Sequence, residues 1–328
     1  MRAIGAAAYL LLSLATCAMA QERGGMGGGF GGGFGGSLGA PQSSASYGTA
    51  VAPSRLSSPS VFRQEAGGTY VVSSSSEGAW SVNGRVSQVE LSHSPVVPDT
   101  GLVVPSKLWS LQAGAGYSRR LGERSRWGAS LGVGSASDAP FQALRETEFR
   151  ATGFREKPSG DRNSWLFFLS YSNNRNFANG VPLPGVAYVF REPVPGLEAM
   201  VGLPFLSLRY RPSADWRLSL SAFGPTNLSA EVSRRLAQPA WAYVAVLRDP
   251  SQWLRSGREV RTDRLVFDRR QALAGVRLGL GGGASLDLSG GLEFGRRLFE
   301  ARDANRSGVS KAALANVGVL AARLSWRL

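Results

Sequence analysis

The chain has 328 residues and a formal net charge of +14, with 37 Lys and Arg against 23 Asp and Glu, one Cys and one His. A single cysteine excludes a disulfide framework and a thiolate metal centre, and no apolar run after the first twenty residues is long enough to cross a membrane as a helix. The basic excess does not describe a nucleic-acid surface: from Gln21 to Pro105 four Arg face five acids, and the later arginines alternate with apolar residues instead of clustering on a helix.

Residues 1–20 open with Arg2, continue through the apolar run AIGAAAYLLLSLA and end in CAMA, with Ala18 and Ala20 placed as an A-x-A cleavage site. That pattern predicts a signal peptide, with the mature chain starting near Gln21. Thr16 before Cys17 fits lipoprotein processing poorly, so the cysteine is expected to leave with the signal. An exported chain without a helical anchor is either soluble or a barrel.

Residues 21–65 contain GGMGGGFGGGFGG and then a Ser, Ala and Pro-rich stretch, too poor in apolar side chains to offset the entropy of ordering. They are expected to be a disordered, low-complexity flexible leader. Residues 66–105, including GTYVVSSSSEGAWSVNGRVSQVELSH, supply either two extra strands or a plug.

From residue 106 to 328 short alternating runs are separated by turn-forming residues, the mark of an all-β sandwich or barrel. Twelve runs are predicted: LWSLQAGAGYSRRL, RWGASLGVGSA, ETEFRATGF, SWLFFLSYS, GVAYVF, FLSLRYR, DWRLSLSAF, NLSAEVSRR, AWAYVAVL, the two arms of VRLGLGGGASLDLSGGLEFGRRL, and VGVLAARLSWRL. In the hairpin, Val276, Leu278, Leu280, Leu286, Leu288, Leu292 and Phe294 share one face, while Arg277, Asp287, Glu293 and Arg297 share the other across a Gly281-Gly282-Gly283 turn.

In a soluble sheet the leucines would lie inward; in a membrane barrel they meet lipid and the charges line a lumen. Two features favour lipid. Counting back from the C-terminus, connections alternate short (281–283) and long (301–312, 249–263), as periplasmic turns and external loops do. Trp127, Trp165, Trp216, Trp241 and Trp326 fall at the ends of runs, where an aromatic girdle sits.

The final run adds a third. With Gly318, Leu320, Ala322, Leu324, Trp326 and Leu328 on one face, it resembles the terminal strand of bacterial outer-membrane β-barrels, departing from it in ending on Leu328 where an aromatic residue is usual. SYSNNRNFANGVPLPGVAYVF (170–190) is similar to an element that recurs in an uncharacterised family of such barrels. The resemblance implies location and fold and names no solute. The expected fold is therefore an antiparallel transmembrane β-barrel of about twelve strands, or fourteen if residues 66–105 contribute two, in the bacterial outer membrane.

Chemical motifs are sparse. His93 in VELSHSPVV is flanked by Ser92 and Ser94, and a lone His at a strand end reads as an interfacial residue before a hydrolase base. Asp99 in PDTGL has no second Asp-Thr-Gly partner for an aspartic-protease dyad. Gly279, Gly281 and Ala284 fit G-x-G-x-x-A, but a strand follows where the nucleotide fingerprint needs a helix. Asp249, Glu259, Asp263, Asp268 and Glu293 lack calcium-loop spacing.

The candidate lumen residues are Arg277, Asp287, Glu293 and Arg297, with Arg234, Arg235, Arg269, Arg270 and Arg296 as further basic candidates. The expectation is a protein with no catalytic site, cofactor or metal, acting as a structural barrel or a passive pore for a small, preferentially anionic solute. Its expected partners are outer-membrane lipid, lipopolysaccharide and the barrel-assembly machinery, with no nucleic acid. The alternatives are a surface lipid- or peptide-hydrolysing barrel using His93 and a soluble secreted β-sandwich.

Overall fold

The computed structural model describes residues 42–55, 58–97, 101–122 and 124–328. The signal peptide, the Gly/Phe-rich part of the leader and Asp99 lie outside them.

The wall is built from sixteen long strands. The first eight are β1 (Ser44–Ala52), β2 (Val61–Ser74), β3 (Gly78–Leu91), β4 (Lys107–Arg120), β5 (Arg126–Ser137), β6 (Thr147–Ser159), β7 (Asn163–Ser172) and β8 (Leu183–Arg191). The second eight are β9 (Leu197–Leu203), β10 (Phe205–Ser213), β11 (Trp216–Phe223), β12 (Asn227–Ala237), β13 (Ala240–Arg248), β14 (Arg264–Gly281), β15 (Ala284–Ala301) and β16 (Val317–Arg327). Each pairs antiparallel with its sequence neighbours, and β1 pairs with β16 from Ser44↔Arg327 to Val51↔Leu320, which closes the sheet. Closure is what allows a sheet to cross hydrocarbon, where each unpaired backbone N–H or C=O costs several kcal/mol.

The strand number corrects the expectation of twelve or fourteen. Residues 66–105 form most of β2 and all of β3, and the twelve predicted runs all become wall strands. The two strands beyond fourteen are β1, inside the expected leader, and β9. β1 (SASYGTAVA) carries small and polar residues, and its order comes from pairing on both edges instead of from its own apolar content. β9 (LEAMVGL) follows the alternation rule, but only Pro204 separates it from β10, so no turn cluster announces it. The alternative of a soluble β-sandwich is corrected, because among the described residues the long strands close into one ring with no open edge, and the only other sheet is a two-residue pairing of 96–97 with 102–103.

Outward positions across the middle of the wall are mostly apolar around the circumference. Leu131 is 70% exposed and Leu320 72%, in company with Val133, Leu169, Val201, Val244, Val246, Leu288 and Leu292. A continuous belt of this size belongs against lipid. The connections sort by end, with turns such as 75–77, 160–162, 214–215, 238–239 and 282–283 on one side. Connections 92–106, 138–146, 173–182, 249–263 and 302–316 lie on the other, together with two short links at 204 and 224–226. The long-loop side is the extracellular one by the usual barrel asymmetry.

Aromatic residues crowd the short-turn end of the belt: Tyr70, Trp80, Tyr117, Trp127, Trp165, Tyr188, Trp216 and Trp326. Several touch across strands, Trp80–Tyr117 with centroids 4.7 Å apart, Tyr117–Trp127 at 5.6 Å and Trp165–Tyr188 at 4.8 Å. Rings with a polar edge and an apolar body settle at a headgroup interface, so this girdle fixes the periplasmic level of the membrane.

The first prediction concerns closure. Thr49 sits between Gln64 of β2 and Ala322 of β16, and proline there removes a ladder donor in the middle of β1. Thr49→Pro is expected to abolish the heat-modifiable band in detergent gels, whereas Thr49→Val leaves it in place.

Candidate functional site

Sixteen strands spaced about 4.8 Å apart and tilted about 40° enclose a wall of about 16 Å radius, wide enough for an interior that side chains alone do not fill. The inward face of β2, β3, β14, β15 and β16 carries one dense charge cluster, and a second lies where Glu156 of β6 meets Arg126 of β5 at 3.0 Å and Arg191 of β8. Glu293, fully buried, accepts a hydrogen bond from Arg63 Nη1 at 2.6 Å and from Gln271 Nε2 at 2.8 Å. Two more guanidiniums face it, Arg296 at 3.3 Å and Arg269 at 3.7 Å. All three arginines also lie against the Phe267 ring, at 5.2, 5.8 and 5.8 Å from its centroid.

Beside this cluster Glu65 is shared by Arg85 at 2.5 Å and Arg323 at 3.4 Å. Nearer the periplasmic end Arg277 bridges Asp287 at 3.0 Å and Glu231 at 3.4 Å, while the Tyr243 hydroxyl donates to Asp287 at 2.7 Å. Counting these groups, six guanidiniums (Arg63, Arg85, Arg269, Arg277, Arg296, Arg323) meet four ion-paired carboxylates (Glu65, Glu231, Asp287, Glu293), and a fifth, Asp249, lies within electrostatic reach of Arg269 and Arg85, so basic groups still outnumber acidic ones. The excess gathers around Glu293, where Arg63 Nε, Arg269 Nη1, and Arg296 Nε and Nη2 are buried without a hydrogen-bond acceptor. Buried N–H donors normally find acceptors, and these four are exceptions, two of them facing Glu293 only as ion-pair contacts.

The local backbone explains which charges turn inward. Gly295 has φ +60, and across the ladder the step from Asp268 to Arg270 on β14 faces the longer step from Arg297 to Phe294 on β15. This is a bulge with its first residue left-handed, a conformation glycine adopts without strain. It shifts the alternation by one residue, so Arg296 points inward and Arg297 outward.

Arg277, Asp287 and Glu293 thus lie on the lumen side, whereas the placement of Arg297 corrects the sequence expectation. Uninterrupted alternation had put Arg297 on the Glu293 face, and the bulge replaces it there with Arg296. Arg269 and Arg235 also face inward. Arg270 and Arg234 face outward, Arg234 over Trp216 at 5.5 Å.

Of the five tryptophans expected in a girdle, Trp127, Trp165, Trp216 and Trp326 occupy the outer periplasmic rim. Trp241 does not. It is 5% exposed on the lumen face of β13, stacked under Arg217 at 3.7 Å and Arg235 at 5.0 Å. Its place at a strand end matched a girdle, but its parity is that of the inward Tyr243, opposite to the outward Ala242, Val244 and Val246.

Across from the arginine face, the lumen side of β6 to β11 is partly apolar, with Leu166, Phe168, Val189 and Phe205 buried together and Phe154, Met200 and Phe223 packed on them.

The extracellular mouth is covered from within. Val97 and Val104 from the 92–106 connection, Trp253 from 249–263 and Ala312 from 302–316 pack with Val61, Leu91, Leu108, Leu265, Phe267 and Leu298 into one buried apolar core. The 249–263 connection reaches across to β5, half the circumference away from β13. Leu254 N donates to Ala136 O at 2.6 Å, and Ser256 donates from both N and Oγ to the Asp138 carboxylate at 2.7 Å each.

The asparagines of the 173–182 connection lace the same region. Asn176 bonds Asn227 at 3.0 Å and accepts from Gln252 Nε2 at 2.8 Å, and Asn179 donates to Arg302 O at 2.8 Å. Sequence reasoning missed this mouth, although the run NNRN was visible in 170–190 as a cluster of side chains that bond backbone.

His93 lies exposed after β3, with Ser92 Oγ 3.3 Å from its Nδ1 while that oxygen accepts the Ser60 N–H at 3.0 Å, an arrangement that ties two extracellular connections together.

Asp138 is the key of the strap. Burial pushes its carboxyl upward, but the hydrogen bonds from Ser256 and Ser137 outweigh that and hold it below its ordinary value of 3.8. A depressed carboxyl stabilises the folded form above 3.8 and loses that contribution as the pH falls through its lower folded value, so the strap is intact at neutral pH. Asp138→Ala is expected to leave the barrel folded and to speed tryptic cleavage after Arg255, Arg258 or Arg261, read by limited proteolysis of the detergent-solubilised protein.

A closed antiparallel sheet with an apolar belt, an aromatic girdle and a charged interior defines a transmembrane β-barrel of the outer-membrane kind. No family model matches the chain, and no curated protein matches it significantly. Among solved structures it is similar to the Pseudomonas putida toluene transporter TodX (11% identity, TM-score 0.36, covering 88% of this chain and 90% of that one). It is also similar to an outer membrane channel from Pseudomonas putida F1 (10%, 0.38, 90% and 98%) and to a mutant porin of Rh. blastica (8%, 0.34, 88% and 99%). At these TM-scores the likeness carries no weight, and the barrel stands on its own strand pairing.

Proposed function

We propose that the protein is a passive outer-membrane channel preferring small anions, its passage running along the arginine face of the lumen under the laced mouth. The observation that supports this reading is the Glu293 cluster, where three guanidiniums share one carboxylate and four buried nitrogens have no hydrogen-bond acceptor. Surplus positive charge behind a low-dielectric wall concentrates anions and repels cations over several ångströms. Its place beneath the apolar mouth puts it where an entering solute would first leave bulk water.

The measurement is conductance in a planar bilayer under a salt gradient. The wild-type chain is expected to favour chloride over potassium. Arg63→Ala with Arg269→Ala is expected to lower that permeability ratio about two- to threefold, as removing two of the lumen's surplus charges should. Asp138→Ala is expected to raise the open probability without changing the ratio. Cation preference in the wild type, or silence of both the wild-type and Asp138→Ala chains, overturns the reading in favour of a structural barrel.

A further inference from the structure

On the outer wall the belt is not smooth. A groove of about 590 Å³ runs over β4 to β7. Its floor is Ala113, Ala115 and Ala151, and its sides are Leu131, Phe149 and Tyr171, all outward-facing. Val133, Phe149 and Tyr171 lie toward the extracellular ends of their strands, so the groove belongs to the outer leaflet. A trough of small apolar residues between large ones on a belt that meets lipid offers a seat for a hydrocarbon chain.

A second recess of about 370 Å³ lies on the extracellular loops, lined by Ala143 and Arg145 of the connection that joins β5 to β6 and by Arg258, Glu259 and Arg261 of 249–263. Arg145 precedes Phe149 by four residues, no more than about 14 Å of extended chain. The recess is held rigidly. Arg258 is 5% exposed and donates to the carbonyls of Arg255 at 2.8 Å, Arg261 at 3.2 Å and Arg145, with no carboxylate within ion-pair distance among the described residues. Arg145 is tied to Glu146 at 2.9 Å and to Ser256 O. Arg261 is exposed and forms no ion pair among the described residues.

Apolar side chains stand where water would be expected beside this recess: Phe141 is 52% exposed, Leu144 83% and Val260 53%. Phe141 holds a left-handed backbone at φ 60, with its N–H bonded to Ser135 Oγ at 3.1 Å, so the fold forces that ring outward. Guanidiniums and apolar side chains together at headgroup height, over an acyl-sized trough, match an amphiphile with an anionic head.

We propose that the groove and the arginine recess form one binding site for a phosphorylated glycolipid of the outer leaflet, its phosphate held by Arg145, Arg258 and Arg261 and an acyl chain laid between Leu131 and Phe149. This site lies outside the lumen, so it stands or falls separately from the channel reading.

The test uses the full chain in mild detergent, with bound lipid read by native mass spectrometry after adding diphosphorylated lipid A, its dephosphorylated form or phosphatidylglycerol. One diphosphorylated molecule per chain is expected, held at least about tenfold more tightly than either competitor, a margin that one or two charge-assisted hydrogen bonds supply. Arg261→Ala is expected to erase most of that preference, and Ala151→Trp, which fills the trough, to weaken all lipids alike. Leu220→Trp on the far side of the barrel is expected to change nothing. Equal retention of the dephosphorylated form, preference for phosphatidylglycerol, an unaltered preference in Arg261→Ala, or a second protein copy in place of lipid would each overturn the assignment. Heat-modifiable migration checks that every variant folds, and Arg261, on an exposed loop, keeps the test decisive if Ala151→Trp fails that check.

Discussion

The ladder between β1 and β16 is the constraint on which the rest depends. In hydrocarbon no water satisfies backbone polar groups, so a sheet is stable there only when its last edge meets its first. Here that seam is made by SASYGTAVA, a strand whose side chains contribute little packing and whose value is almost wholly its backbone. Once the seam exists, parity is settled for every strand. Each side chain is assigned either to lipid or to the interior, and the apolar belt and the arginine face follow as two halves of one alternation.

Parity also explains where charge gathers. A strict alternation through β15 would have left Glu293 with Arg297 on its side of the wall. The bulge at Gly295 exchanges that arginine for Arg296, which reaches back to Glu293 and over Phe267. The same irregularity lies where β14 and β15, each of 18 residues, pass from the membrane wall into the region that packs over the mouth. One left-handed glycine therefore joins two features, the concentration of guanidiniums and the bend of the tallest hairpin, since bulges both re-aim side chains and increase local twist.

Much of this was legible in the sequence and some was not, for identifiable reasons. The two arms around Gly281-Gly282-Gly283 read correctly because three residues with positive φ punctuate them and leucines alternate on either side. β2 and β3 were visible as an option. β1 was hidden by composition, since serine and alanine in an edge-closing strand look like a linker until the partners are known. β9 was hidden by the absence of a turn.

At the site, Arg277, Asp287 and Glu293 followed from alternation alone. Arg296 and Trp241 did not, because a bulge and a strand's parity are tertiary facts that a local pattern does not carry. The covered mouth was the least legible of all: its apolar residues are scattered singly through polar loops, and they become a core only when the barrel brings three connections over one opening.

Because the first barrel strand in the chain bonds to the last, no stable half-barrel precedes the finished one. While β2 to β15 are already threaded, two raw edges remain on opposite sides of a growing sheet, each able to recruit a stranger's backbone. The meeting of the two ends is the moment at which a vulnerable ribbon turns into a ring with nothing left to offer a neighbour.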